Sequence, residues 1–177
     1  TVETIDVNEH KEEIQDFSQE LSQEVDDLPI DLENLTTQAG EKLSQGDAKG
    51  ALQILKEHLH STAAQHFDSW RISAGAMAAM GLDDHAIGAY NHAISLNQDD
   101  SKCYFNLGAL HERKGNTDAA SKCFVSALTI DPSYVKAGHR LLNLAEQTGN
   151  VEALLLARRS LVGEENGREL LATLLVE

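Results

Sequence analysis

The side chains of this sequence best suited to binding chemistry are cations on one face of a series of predicted helices. That face lies opposite the contact within each predicted helical hairpin. It comprises Arg71, Lys102, Phe105, Asn106, Arg113, Lys136, His139 and Arg140. Guanidinium and ammonium groups form charge-assisted hydrogen bonds with carboxylates. The pattern therefore predicts a surface that binds acidic or carboxylate groups of a peptide, and ordinary solvated cations are the alternative interpretation.

Sequence motifs that support catalysis are absent. The chain has no GxxxxGK[ST] phosphate loop and no GxGxxG, HExxH or GxSxG motif. Cys103 is followed by His111 on the same predicted helix, but the sequence shows no third group that would orient the pair. We therefore expect a protein that is not an enzyme and that needs no cofactor.

The cysteines and histidines predict packing rather than chemistry. Cys103 and Cys123 would be offset by about 7 Å along the two helices of one hairpin, which is too far for a disulfide. Both are expected to be buried free thiols. The histidines that group together are His58, His60 and His66, and also His85 with His92. Neither group has a cysteine or carboxylate at ligand spacing, so no metal site is predicted.

The elements that would position the cations are paired helices, and residues 101–134 describe one pair most clearly. Gly108 and Ala120 are small where two antiparallel helices must approach, and Phe124 supplies apolar contact between them. Gly115-Asn116 predicts the turn between the helices. Asp131-Pro132 ends the second helix, because proline disfavours helical geometry in the preceding residue. One hairpin cannot bury its own apolar face, so neighbouring hairpins are required.

The spacing within residues 101–134 resembles the tetratricopeptide repeat (TPR), a helix–turn–helix unit of about 34 residues. The residues at the motif positions are Tyr104, Leu107, Gly108, His111, Ala120, Phe124, Ala127 and Pro132. Tyrosine replaces the usual tryptophan at the first of these positions, and histidine replaces the usual tyrosine at the fourth. The resemblance implies an all-α solenoid of helical hairpins, wound as a right-handed superhelix. It also implies a concave groove that binds peptides or helices of other proteins.

Similar units are predicted on both sides of this repeat. The four predicted repeats are residues 32–66, 67–100, 101–134 and 135–162. Trp70 stands one repeat length before the equivalent aromatic residue, Tyr104, and the Gly115-Asn116 turn recurs one repeat later as Gly149-Asn150. The first repeat is degenerate, and its second helix is predicted to continue through His58 and Leu59.

A further helical segment is predicted at each end of the chain. Residues 1–31 predict an acidic amphipathic helix with an apolar stripe formed by Ile14, Phe17, Leu21 and Val25. This segment could cap the repeats, form a homodimer through the stripe, or be disordered when alone. A further hypothesis is that it folds over the basic groove and competes with ligand. Residues 163–177 predict a helix that caps the last repeat.

The net charge of −15 is unevenly distributed. Residues 1–33 hold 12 acidic residues and one lysine, whereas the rest of the chain holds 17 acidic and 13 basic residues. A nearly balanced repeat body argues against nucleic acid or an anionic membrane as the main partner. No apolar run approaches the roughly 18 residues of a membrane span. Two cysteines and no evident secretory signal favour a cytoplasmic location.

The resemblance implies a non-catalytic protein-interaction module, with the eight residues above contacting an extended or helical segment. Two more specific functions stay open. An acidic N-terminal helix before three or four repeats resembles the class II chaperones of type III secretion, which hold hydrophobic translocators. A co-chaperone that clamps C-terminal carboxylates is the other, since Arg71, Asn106, Lys136 and Arg140 match the clamp positions of some TPR proteins. Gly75 departs from that clamp, which has asparagine there.

Overall fold

The computed structural model describes residues 30–162, which form eight α-helices and no strand. The helices are α1 (Leu32–Ser44), α2 (Ala48–Leu55), α3 (Phe67–Ala79), α4 (Asp83–Leu96), α5 (Ser101–Arg113), α6 (Thr117–Ile130), α7 (Val135–Thr148) and α8 (Val151–Ser160). They pack as four successive hairpins, α1–α2, α3–α4, α5–α6 and α7–α8, and each hairpin also packs against the next one. The predicted all-α architecture of stacked helical hairpins is confirmed.

The same glycine turn closes all four hairpins. Gly46, Gly81, Gly115 and Gly149 stand at the same place in successive repeats, and each has a positive φ between 70° and 86°. This left-handed backbone conformation carries a steric cost for side chains other than glycine, so the repeating glycine is a requirement of the turn.

The cores of the hairpins are built from small and large residues that face one another. In the third hairpin Phe124 is 0% exposed and its ring covers Gly108. A Cβ atom added at Gly108 would lie 2.7 Å from Cε1 of Phe124. The glycine therefore allows α5 and α6 to approach across the ring, as the sequence predicts.

The first hairpin departs from the sequence prediction. The α2 helix ends at Leu55 and does not continue through His58 and Leu59, although Leu59 is still only 3% exposed. Side chains of the second hairpin hold the connecting segment in its non-helical path. Nε1 of Trp70 and Nε2 of His92 donate to the carbonyl of Ala64 at 3.1 and 3.0 Å. These tertiary hydrogen bonds anchor the segment between α2 and α3 to the second hairpin and satisfy the carbonyl of Ala64.

The described residues leave two of the terminal predictions untested. The apolar stripe Ile14, Phe17, Leu21 and Val25 and the capping helix predicted at 163–177 lie outside residues 30–162. None of the helices within the described range is long and apolar enough to cross a membrane.

Candidate functional site

The first helices of successive hairpins share an open surface, which we call the groove. A cavity of about 310 Å³ lies between α1, α3 and α5. It is lined by Leu43, Gly75, Ala78, Tyr90, Asn106, Ala109, Leu110 and Arg113. A neighbouring cavity of about 330 Å³ lies between α1 and α3 and is lined by Glu33, Thr36, Thr37, Gly40, Asp68, Arg71 and Ile72. Residues of three hairpins line these two cavities.

Small side chains make the groove, and apolar ones form its floor. Gly75, Ala78 and Ala109 occupy positions where a longer side chain would fill the space. Tyr90 reaches the floor from α4 and is 3% exposed. Burial raises the pKa of Tyr90 to about 12. A hydrogen bond with the side chain of Asn106 acts to lower this pKa but does not offset the effect of burial. The part of the floor formed by Tyr90 and Leu110 is therefore uncharged at neutral pH.

All three predicted site arginines pair with carboxylates of the chain itself, and two of these pairs lie within or between first helices. Nη2 of Arg71 lies 2.6 Å from Oδ1 of Asp68 on the same helix. Nη1 of Arg140 on α7 lies 3.2 Å from both carboxylate oxygens of Glu112 on α5. The four side chains are between 28% and 51% exposed, so these are solvent-screened pairs of modest strength. They nevertheless occupy the guanidinium edges that a ligand carboxylate would use.

Arg113 also lines the groove, and its guanidinium joins two hairpins. It pairs with Asp83 at the start of α4, with Nε donating to Oδ2 at 2.8 Å, and donates to the carbonyl of Ala78 at 3.2 Å. The adjacent Lys114 pairs with Asp84 and holds the pKa of that carboxyl below its usual range. Both contacts connect the end of α5 to the turn of the preceding hairpin.

Unlike the arginines, the two lysines predicted at the site have no carboxylate partner among the described residues. Lys102 and Lys136 are exposed, and neither makes an ion pair or side-chain hydrogen bond with any residue in the described range. Between them in sequence lies Phe105, a half-buried residue whose ring centroid is 5.2 Å from that of Tyr134. His139 is half-buried on α7. Within residues 30–162, the eight predicted residues therefore divide into arginines that pair with carboxylates, lysines that have no such partner there, and packed or polar side chains.

Both cysteines are free thiols, and the prediction that both are buried holds for Cys103 but not for Cys123. Cys103 is 0% exposed and Cys123 is half-buried. Burial, reinforced by the nearby charge of Asp100, raises the pKa of the Cys103 thiol to about 12. Within residues 30–162 no three His, Cys, Asp or Glu side chains are placed to hold a metal ion. Two of the histidines pack instead on Trp70, with ring centroids at 5.5 Å for His60 and 4.4 Å for His92.

The protein is expected to lose stability as the pH rises above 9. The Cys103 thiol ionises near 9.0 when exposed but only near 12 in the folded chain, so the folded state binds more protons between these values. The free energy of unfolding then falls with pH, by about 1 kcal/mol at pH 10. Urea titrations at pH 8 and pH 10 measure the loss. Cys103→Ala is the control: its loss between the two pH values should be smaller, and an equal loss would contradict the assignment.

Sequence reasoning missed the acidic partners and the groove floor. The floor residue Tyr90 lies on a second helix, where no binding residue is expected from the repeat pattern. A usable signal exists for the ion pairs, because Asp83-Asp84 precedes Arg113-Lys114 by slightly less than one repeat. Opposite charges at that separation indicate contact between the ends of neighbouring hairpins.

Comparison with known proteins defines the class. Residues 101–134 match the model of the tetratricopeptide repeat family. Tetratricopeptide repeat protein 37 of Xenopus laevis is 25% identical over 130 residues, which is 72% of this chain and 8% of that protein's length. A crystal structure of MamA superposes with a TM-score of 0.70 at 21% identity, covering 94% of this chain and 99% of that one. The chain contains a tetratricopeptide repeat and folds as a TPR-type helical solenoid.

The type III secretion chaperone SycD of Yersinia enterocolitica has the same fold. Its complex with a peptide of the translocator YopD superposes with a TM-score of 0.59 at 17% identity, covering 67% of this chain and 92% of that one. At this identity the likeness concerns the fold alone. The TPR-type fold is that of a scaffold for protein–protein interaction.

Proposed function

We propose that this chain is a non-catalytic interaction module that binds an extended or helical segment of a partner protein in the groove. The observation that carries the proposal is the cavity between α1, α3 and α5, with its small-residue walls and apolar floor. A cavity of this kind takes side chains of a bound segment, while Asn106 and the rim offer polar contacts. The proposal includes no cofactor, nucleic acid or membrane partner.

A chaperone of the type III secretion kind is a more specific version of the same proposal. It is supported by the likeness in fold to SycD, one structure of which contains a translocator peptide. The neutral floor around Tyr90 and Leu110 suits an apolar segment better than a charged one. A cytoplasmic location and a homodimer through Ile14, Phe17, Leu21 and Val25 remain predictions within this proposal.

The carboxylate clamp is less well supported by the groove. Of its matching residues, Arg71 and Arg140 each pair with a carboxylate of the chain. At Gly75 an added Cβ would lie 3.2 Å from Cδ2 of Leu43, so the asparagine of the clamp would need that leucine to move. We therefore place peptide binding along the groove ahead of capture of a C-terminus.

Blocking the groove is expected to weaken the binding of a peptide strongly. A library of random dodecapeptides displayed on phage is selected against the intact chain, and the selected peptides are titrated against Ala109→Arg. The arginine fills the cavity between α3 and α5, so affinity should fall about 30-fold or more. Gly88→Arg is the matched control, since it adds the same side chain on α4 where a Cβ meets nothing within 4 Å.

One outcome of this titration would contradict the proposal. Peptides that bind Ala109→Arg as tightly as the unaltered chain would place binding outside the groove and overturn the proposal. Circular dichroism of both variants establishes that each keeps its helices, so a loss of affinity is not a loss of fold.

A further inference from the structure

We propose that the outer face of α8 is a surface through which two copies of this chain associate, with the two α8 helices packed antiparallel about a twofold axis. This surface is built on the second helices of the last two hairpins and shares no lining residue with the cavities of the groove. The proposal therefore concerns self-association rather than peptide binding. It is also separate from the homodimer predicted through Ile14, Phe17, Leu21 and Val25.

The α8 helix exposes apolar side chains along one face. Val151 is 64% exposed and Leu155 is 52% exposed, which are the largest values for any large apolar side chain in the described range. The two residues are four positions apart, so they lie on the same face of the helix. Single exposed apolar residues are ordinary, but a row of them along one helix is typical of an interaction surface.

Two cavities adjoin this face in the channel between α6 and α8. Their volumes are about 480 and 350 Å³. Leu156 is half-buried and lines both cavities, with Val125 beside it in the larger one and Pro132 in the smaller one. An apolar side chain from another molecule can therefore pack against Leu156 from either side.

The charged residues of this face are placed symmetrically about its centre. Glu152 lines the larger cavity and Arg159 the smaller one, and both are exposed. Neither side chain forms an ion pair with any residue in the described range. They are seven residues apart, so they lie on one side of α8 at a separation of about 10 Å along its axis. The midpoint between them falls between Leu155 and Leu156.

This arrangement is complementary to itself in one orientation. A twofold contact uses the same patch on both subunits, so that each residue meets its counterpart's partner. When two α8 helices run antiparallel about this midpoint, Glu152 of one protomer faces Arg159 of the other, and Leu155 faces Leu156. Each of these contacts occurs twice. Parallel helices would instead place like charges opposite one another, which disfavours that orientation.

Sedimentation equilibrium of the intact chain tests this contact. A contact of this small size predicts a reversible dimer with a Kd of about 1 to 100 µM. Glu152→Arg and Arg159→Glu should each weaken the dimer about 30-fold or more, because each creates two like-charged pairs across the axis. Glu57→Arg and Lys56→Glu are the matched controls, since they reverse charges at exposed positions outside α8 and should leave the Kd within about twofold.

An equimolar mixture of the two α8 variants tests the orientation. The Glu152→Arg protomer presents only arginines at the two charged positions, and the Arg159→Glu protomer presents only glutamates. A heterodimer of the two should therefore form with a Kd within about threefold of that of the unaltered chain. Recovery of association in the mixture also shows that neither variant has lost its fold, and circular dichroism of each variant verifies this directly.

The remaining outcomes would overturn the proposal. A chain that stays monomeric up to about 0.5 mM would show that another occupant covers the α8 face, such as residues 163–177 of the same chain. A dimer that survives both α8 charge reversals, or a mixture that stays monomeric, would exclude the antiparallel contact. The full-length variant Phe17→Asp with Leu21→Asp should still dimerise, and loss of all association in it would assign the dimer to the N-terminal stripe instead.

Discussion

Replacing Phe124 by alanine is expected to lower the free energy of unfolding by about 3–5 kcal/mol. The ring is 0% exposed and fills the space between α5 and α6, over Gly108 and 5.7 Å from the ring centroid of Phe105. Truncation removes buried apolar surface and leaves a cavity. The glycine opposite has no side chain that could move into that cavity. The loss should therefore lie at the upper end for a single core substitution.

Urea titration followed by circular dichroism measures this change. Phe105→Ala is the matched control, because the same residue type is only half-buried on the neighbouring helix and should cost markedly less. A loss below about 1.5 kcal/mol for Phe124→Ala, or one equal to that of Phe105→Ala, would contradict the assignment of Phe124 to the centre of the core.

Adding a single methyl group at Gly108 is expected to destabilise the chain by about 1–3 kcal/mol. The added Cβ would lie 2.7 Å from Cε1 and 2.9 Å from Cδ1 of Phe124. The ring is fully buried and cannot turn away without displacing the core. Gly88→Ala is the control, since Gly88 is exposed on α4 and a Cβ there meets nothing within 4 Å.

The two glycine variants should shift stability in opposite directions. Gly88→Ala gains about 0.5–1 kcal/mol, because alanine loses less backbone entropy than glycine when a helix forms. Combining Gly108→Ala with Phe124→Leu should cost less than the sum of the two changes, as the smaller side chain makes room for the methyl group. Gly108→Ala as stable as the unaltered chain would show that the helices are not in close contact at this point.

Much of the fold is readable from the sequence because its determinants are local and recur. The Gly115-Asn116 turn reappears one repeat later as Gly149-Asn150, and both glycines have the left-handed backbone that the turn needs. The end of α2 at Leu55 could not be predicted from a local, recurring pattern. The segment that follows α2 is tied to another hairpin, because Trp70 and His92 donate hydrogen bonds to the carbonyl of Ala64.

The site was only partly readable for a related reason. Helical periodicity places Arg71 and Asn106 at the groove, because the face of a helix is a property of its own sequence. The carboxylate that neutralises Arg140 belongs to Glu112 of the preceding hairpin and follows from how two hairpins stack. Knowing which cations are available to a ligand required those contacts.

The ion pairs also connect successive hairpins of the solenoid. Arg113–Asp83 and Lys114–Asp84 brace the junction of the second and third hairpins, and Arg140–Glu112 braces the next one. These ion pairs are partly exposed, so dissolved salt screens and weakens them, whereas the apolar contacts between the same hairpins are not screened. The ionic contribution to holding successive hairpins together is therefore modest and falls as the salt concentration rises.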